Sequence, residues 1–188
     1  MGIEGPKKLA VLISGKGSNL RTISQFCKEN PHKARVELVV SNKENAGGLE
    51  IAKEFGIKSV VVKTAGRTME EFEAEIATHL QCVDLICLAG FMRVLTPQFV
   101  NKWSGKIVNI HPSLLPSFKG GHAIEDALNY GVKITGCTVH FVVPEIDSGE
   151  IISQIAVEIL ENDTPESLKK RIQDAEKQCY RKALERIL

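Results

Sequence analysis

Short apolar, β-branched runs alternate along this chain with longer stretches in which apolar positions recur every three or four residues. Residues 9–13 predict a first strand and residues 18–29 the helix after it. A second strand over 36–40 leads through Ser41 and Asn42 to a helix over 48–55, and 59–62 predicts a third strand. The stretch 68–80 sets Met69, Phe72, Ile76 and Leu80 on one helical face. Residues 85–88 are apolar throughout, as in a strand buried on both sides, and 96–103 predicts a short helix. A strand over 107–110 and a helix over 123–130 come next.

The pattern then changes. Residues 136–143 and 150–159 are both strand-like and are joined by the loop Pro144-Glu145-Ile146-Asp147-Ser148-Gly149. Two strands in direct succession predict an antiparallel addition to a sheet that is otherwise parallel. A capping residue and a first-turn proline in Asp163-Thr164-Pro165-Glu166 start a last helix that runs to about Ile187. No repeat, low-complexity tract or linker divides the chain. The pattern predicts a Rossmann-like α/β fold over residues 1–188: one domain, a mainly parallel twisted sheet with an antiparallel C-terminal strand addition, and helices on both faces.

Composition narrows the function classes. The 188 residues suit one well-buried domain, and 43% hydrophobic with 25% charged argues against disorder. With 24 basic and 23 acidic residues there is no electrostatic footprint for nucleic acid. The five cysteines, Cys27, Cys82, Cys87, Cys137 and Cys179, include no Cys-x-x-Cys pair and are expected to be reduced thiols in a cytoplasmic protein. The apolar run near the N-terminus is too short for a signal peptide or a membrane span. A lipidation signal at Gly2 would want Ser or Thr where Pro6 stands.

Candidate chemistry gathers at strand ends. Asn109 and His111 lie two residues apart, on one side of the strand 107–110, and Pro112 and Pro116 stiffen the turn beyond it. An amide donor beside a titratable ring suits acyl transfer, because one can hold a carbonyl oxygen while the other carries a proton. The turn Ser14-Gly15-Lys16-Gly17-Ser18-Asn19 links the first strand to the first helix. It lacks the Gly-Lys-Ser/Thr ending of a Walker loop, and Leu20 stands where a dinucleotide fingerprint needs its third glycine. It reads either as a monophosphate cradle at a helix start or as a turn in which Ser18 or Asn19 caps the helix. Asp147 reads as a turn former or as a carboxylate partner for His111. His140 reads as a satisfied structural histidine or as a wall of the site, and His122 as a cleft or surface residue. His32 and His79 have surface contexts, and no His or Cys spacing matches a metal site.

Taken together, the Gly-rich turn, Ser41-Asn42-Lys43, Leu88-Ala89-Gly90-Phe91-Met92-Arg93-Val94-Leu95, Asn109-Ile110-His111-Pro112-Ser113-Leu114-Leu115-Pro116, Gly136-Cys137-Thr138-Val139-His140-Phe141-Val142 and Asp147-Ser148-Gly149 resemble the phosphoribosylglycinamide formyltransferases, folate-dependent enzymes of purine synthesis. The resemblance covers nearly the whole chain. It implies a catalytic trio of Asn109, His111 and Asp147. It implies that Gly17, Ser18 and Asn19 grip the phosphate of glycinamide ribonucleotide and that Glu176 contacts its ribose. Met92, Arg93, Val94, Leu95 and the segment Val143, Pro144, Glu145, Ile146 would hold 10-formyltetrahydrofolate, with no metal and with a monomer or homodimer as the working unit. Two departures stand out. Met69 occupies the position of a family arginine near the folate tail, with Arg67 the nearest substitute, and Ile124 stands where some members carry histidine.

Two relatives make rival expectations. Formyltetrahydrofolate hydrolase shares the trio but uses water and adds an N-terminal domain, whereas the first strand here begins by residue 9. Methionyl-tRNA formyltransferase adds a C-terminal barrel and a tRNA substrate that the near-neutral charge does not favour. A non-catalytic phosphate- or nucleotide-binding module would have no need of Asn109, His111 and Asp147 together.

Overall fold

The computed structural model describes residues 5–188, so the Gly2 position considered for lipidation lies outside them. Seven strands form one sheet in the order β3-β2-β1-β4-β5-β6-β7. The strands are β1 (Lys7–Ile13), β2 (Ala34–Ser41), β3 (Ser59–Val61), β4 (Leu85–Leu88), β5 (Ile107–His111), β6 (Ile134–Phe141) and β7 (Ile151–Glu158). The helices are α1 (Ser18–Glu29), α2 (Gly48–Glu54), α3 (Met69–His79), α4 (Pro97–Lys102), α5 (Ala123–Tyr130) and α6 (Pro165–Ile187). β1 to β5 pair in parallel, β6 runs antiparallel to β5, and β7 antiparallel to β6.

Alternation along the central strand explains why both faces are covered. Leu9, Val11 and Ile13 pack on one face with side chains of α1, α2, α5 and α6. Ala10 and Leu12 pack on the other with Phe72 and Ile76 of α3 and Phe99 and Val100 of α4. Strand β4 is buried along its whole length, as its unbroken apolar run predicts. Helix starts follow local chemistry. Thr68 and Glu71 form a capping box at α3, and Thr164 caps α6 with Pro165 in the first turn.

Connectivity reverses between β1 and β4: the chain winds outward from β1 through β2 to β3, then returns to β4 on the other side. Loops leaving the carboxyl ends of β1 and β4 therefore diverge, opening a crevice of the kind in which α/β proteins hold ligands. β5 ends beside it at His111.

Candidate active site

The Gly-rich turn leaves β1 and enters α1 with Gly17 as the N-cap residue at φ 81, a conformation suited to glycine. A Cβ there would also meet Gly48 Cα at 2.6 Å, so two glycines let the backbones touch. No side chain caps α1, which removes the reading of Ser18 or Asn19 as a mere cap. The first backbone N–H groups of a twelve-residue helix are left open to an anion, with exposed Ser18 beside them. Asn19 is buried, donates from Nδ2 to Glu176 Oε2 at 3.0 Å, and leaves Oδ1 without a partner among the described residues. Burial pushes the Glu176 carboxyl above its ordinary range, partly opposed by that hydrogen bond.

At the end of β5 His111 faces Asp147. His111 Nε2 donates to the Phe118 carbonyl at 2.8 Å, while Nδ1 faces Asp147 Oδ2 at 3.5 Å. Asp147 Oδ2 also accepts from Gly120 N at 2.8 Å. With Nε2–H spent on the Phe118 carbonyl, Nδ1 is the ring atom that faces the Asp147 carboxylate. Lys119 Nζ donates to Ser148 Oγ at 2.6 Å, so the loop after Pro116 clasps the loop that carries Asp147.

His140 belongs to this cluster as well as to the core. It is buried on β6, directly across from Asn109 in the antiparallel pair. Its Nδ1 donates to the Phe141 carbonyl at 2.8 Å, and burial lowers its pKa, favouring the neutral ring. Nε2 then carries a lone pair, 3.5 Å from Asn109 Nδ2, which turns the Asn109 amide nitrogen toward the site. Alternation gives the face of His140 but not its partner, Asn109, which the antiparallel pairing supplies.

A cavity opens against this polar end. Leu88, Val94, Leu95, Val100, Val142 and Val143 supply apolar wall, with Arg93, Pro144, Glu145 and Ile146 around it and Asn109, His140 and Asp147 at its base. The folate-side expectations gather here with one exception. Met92 does not line the cavity; it is 72% exposed, and its backbone N–H donates to Ser14 Oγ at 2.9 Å. Arg67 is not among the lining residues either, being ion-paired with Glu75 on α3, while Met69 packs against the core. His122, His32 and His79 are exposed. Among the described residues no three His, Cys, Asp or Glu side chains gather to hold a metal ion. No helix among them is long and apolar enough to cross a membrane.

The reversal crevice of this α/β sheet thus has an open helix start on one side and an amide, an imidazole and a carboxylate on the other. The chain belongs to the formyl transferase family, which it matches over residues 7–184. It is 45% identical over 183 residues to the human trifunctional purine biosynthetic protein adenosine-3, covering 96% of this chain but only 18% of that protein. Phosphoribosylglycinamide formyltransferase of Escherichia coli is 40% identical over 175 residues, 92% of this chain and 82% of the relative. The crystal structure of glycinamide ribonucleotide transformylase 1 from Symbiobacterium toebii superposes with a TM-score of 0.91 at 42% identity, covering 98% of this chain and 87% of that one.

Proposed function

We propose that the chain transfers the formyl group of 10-formyltetrahydrofolate to the primary amine of glycinamide ribonucleotide, yielding formylglycinamide ribonucleotide and tetrahydrofolate. The observation that supports the reading is that Asn109 and Asp147 line one end of an apolar cavity while His111 Nδ1 lies 3.5 Å from the Asp147 carboxylate. The cavity suits a flat heterocycle, and its polar base suits a formyl oxygen. The open start of α1 and the Asn19–Glu176 pair suit a ribose phosphate.

In this reading the deprotonated amine attacks the formyl carbon while both substrates are held in one crevice, which removes much of the entropic barrier. A C–N bond forms and negative charge develops on the formyl oxygen. Asn109 Nδ2 and protonated His111 stabilise that charge, and Asp147, 3.5 Å from Nδ1, orients the imidazole. The C–N bond to the folate then breaks, and the folate nitrogen takes up the proton released by the amine. The reaction is expected in the cytoplasm, with a monomer or homodimer as catalyst.

The test is a coupled assay: purified protein, glycinamide ribonucleotide and 10-formyltetrahydrofolate, with omission of the amine as control. Formylated ribonucleotide that depends on the amine is expected. Formate release at the same rate without it would overturn the transferase reading in favour of hydrolysis.

A further inference from the structure

The segment that lines the folate-side cavity between β4 and α4 is a short strap with its ends held from elsewhere in the fold. At one end the Met92 N–H donates to Ser14 Oγ, the residue that begins the Gly-rich turn. At the other, Glu73 on α3 receives both polar groups of Thr96: Oε1 accepts from Thr96 N at 2.6 Å, and Oε2 accepts from the Thr96 hydroxyl. Between these anchors Phe91 stacks on Phe72 of α3, with ring centroids 5.8 Å apart, and Leu95 is buried. Arg93 and Val94 are left facing the cavity mouth, exposed.

Glu73 is only 5% exposed, and a carboxylate is placed at such a depth only where its oxygens are bonded. Capping of α4 does not account for it, because Thr96 Oγ1 already accepts from Phe99 N. Capping of α3 does not either, since Thr68 and Glu71 do that. What Glu73 adds is a fixed distance between α3 and the last N–H of the strap.

We infer that Glu73 is a positioning residue for the formyl donor: through Thr96 it holds the strap 92–95 at the depth where Arg93, Val94 and Leu95 form a wall of the folate-side cavity. The inference rests on the proposed assignment of that cavity to the folate. Gln at position 73 keeps the volume but replaces a carboxylate that accepts from both Thr96 groups with an amide that has one acceptor oxygen, so the strap end is held less tightly while the core stays filled.

The experiment is steady-state kinetics of Glu73→Gln against both substrates, with calorimetric binding of tetrahydrofolate and thermal melting alongside. The loss of a bond to a charged acceptor predicts a KM for the formyl donor and a Kd for tetrahydrofolate both raised about tenfold. The KM for glycinamide ribonucleotide stays near wild type, and the melting temperature falls by no more than a few degrees with the weakened internal bond. In the Thr96→Val background the same substitution adds little, because both changes cut one link. Equal shifts in both KM values, or an unchanged donor KM, would overturn the inference. If Glu73→Gln does not fold, Ser14→Ala loosens the strap at its other end and must raise the donor KM selectively; failure to do so sinks the idea equally. Wild-type protein inactive with both substrates would instead count against the proposed function, so the two failures are distinguishable.

Discussion

His111 is held between Phe118 and Asp147, and these are the non-glycine residues with left-handed backbone among those described, at φ 53 and φ 50. Phe118 offers its carbonyl to Nε2 and Asp147 its carboxylate to Nδ1. A non-glycine residue in this region is uncommon and costs free energy, which the surrounding contacts must offset. Here both instances supply an acceptor to one imidazole. The strained turns and the orientation of the ring are one structural fact.

Removing the ring or its carboxylate should therefore remove catalysis and leave the fold. His111→Ala and Asp147→Ala are each expected to lower kcat by about 10²–10³-fold, the range found for loss of a preorganised oxyanion donor. Circular dichroism and melting temperature should stay close to wild type. Turnover within a few-fold of wild type in either purified variant would refute the trio.

Much of this is legible in the chain itself, and the parts that are not share a cause. Every expected helix and strand is present, with ends displaced by one or two residues, as at β1, where polar Lys7 and Lys8 extend the apolar run by pairing with Ala34 and Arg35. Periodicity reports burial, and these lysines are only partly buried. Asn109 and His111 are readable because a strand fixes the relation of residues two apart. The Ser14–Met92 bond joins residues 78 apart, the His140–Asn109 contact residues 31 apart, and no local pattern encodes such meetings. Glu73 is hidden for a second reason: a Glu within a helical period is expected to face solvent, and only the strap brought over it by tertiary packing makes it internal.

The His140 ring predicts a pH signature in stability. Burial lowers its folded-state pKa below the ordinary value of about 6.5, so the unfolded chain takes up a proton there before the folded one does. Its contribution is fully present above the unfolded pKa and is lost as pH falls from there toward the folded value. Urea midpoints measured at pH 7.5 and 5.5 should drop more for wild type than for His140→Gln. Parallel losses in the two proteins would show that His140 does not titrate as its burial requires.

Glu176 predicts the opposite trade. Burial raises its carboxyl pKa, so ionising it at neutral pH costs stability relative to a neutral side chain of the same shape. That contribution is complete below the unfolded pKa and fades as pH rises through the folded one. Glu176→Gln keeps an oxygen for Asn19 Nδ2 and removes the charge, so its melting temperature at pH 7.5 should equal or exceed wild type. The same change should raise the KM for glycinamide ribonucleotide about tenfold, through loss of a charged acceptor for the ribose, and leave the donor KM unchanged. A destabilised variant with both KM values intact would assign Glu176 to structure alone.

Gly149 sets where the Asp147 loop closes. A Cβ at this position would lie 1.7 Å from the Phe141 carbonyl oxygen, which already accepts from His140 Nδ1, and backbone rather than a flexible side chain stands in the way. Phe141 N in turn donates to Glu150 O, so the hairpin between β6 and β7 is pinned directly after the glycine. Gly149→Ala must therefore displace the chain at the loop's end and draw Asp147 away from His111. The expected result is a fall in kcat that approaches that of Asp147→Ala, with a smaller loss of thermal stability, since the loop is largely exposed and the core on either side of the sheet is untouched. Ser148→Ala gives up only exposed hydrogen bonds to Lys119 and the Ile146 carbonyl and should keep kcat within a few-fold of wild type. If the two variants behave alike in kinetics, loop closure at Gly149 does not govern the carboxylate.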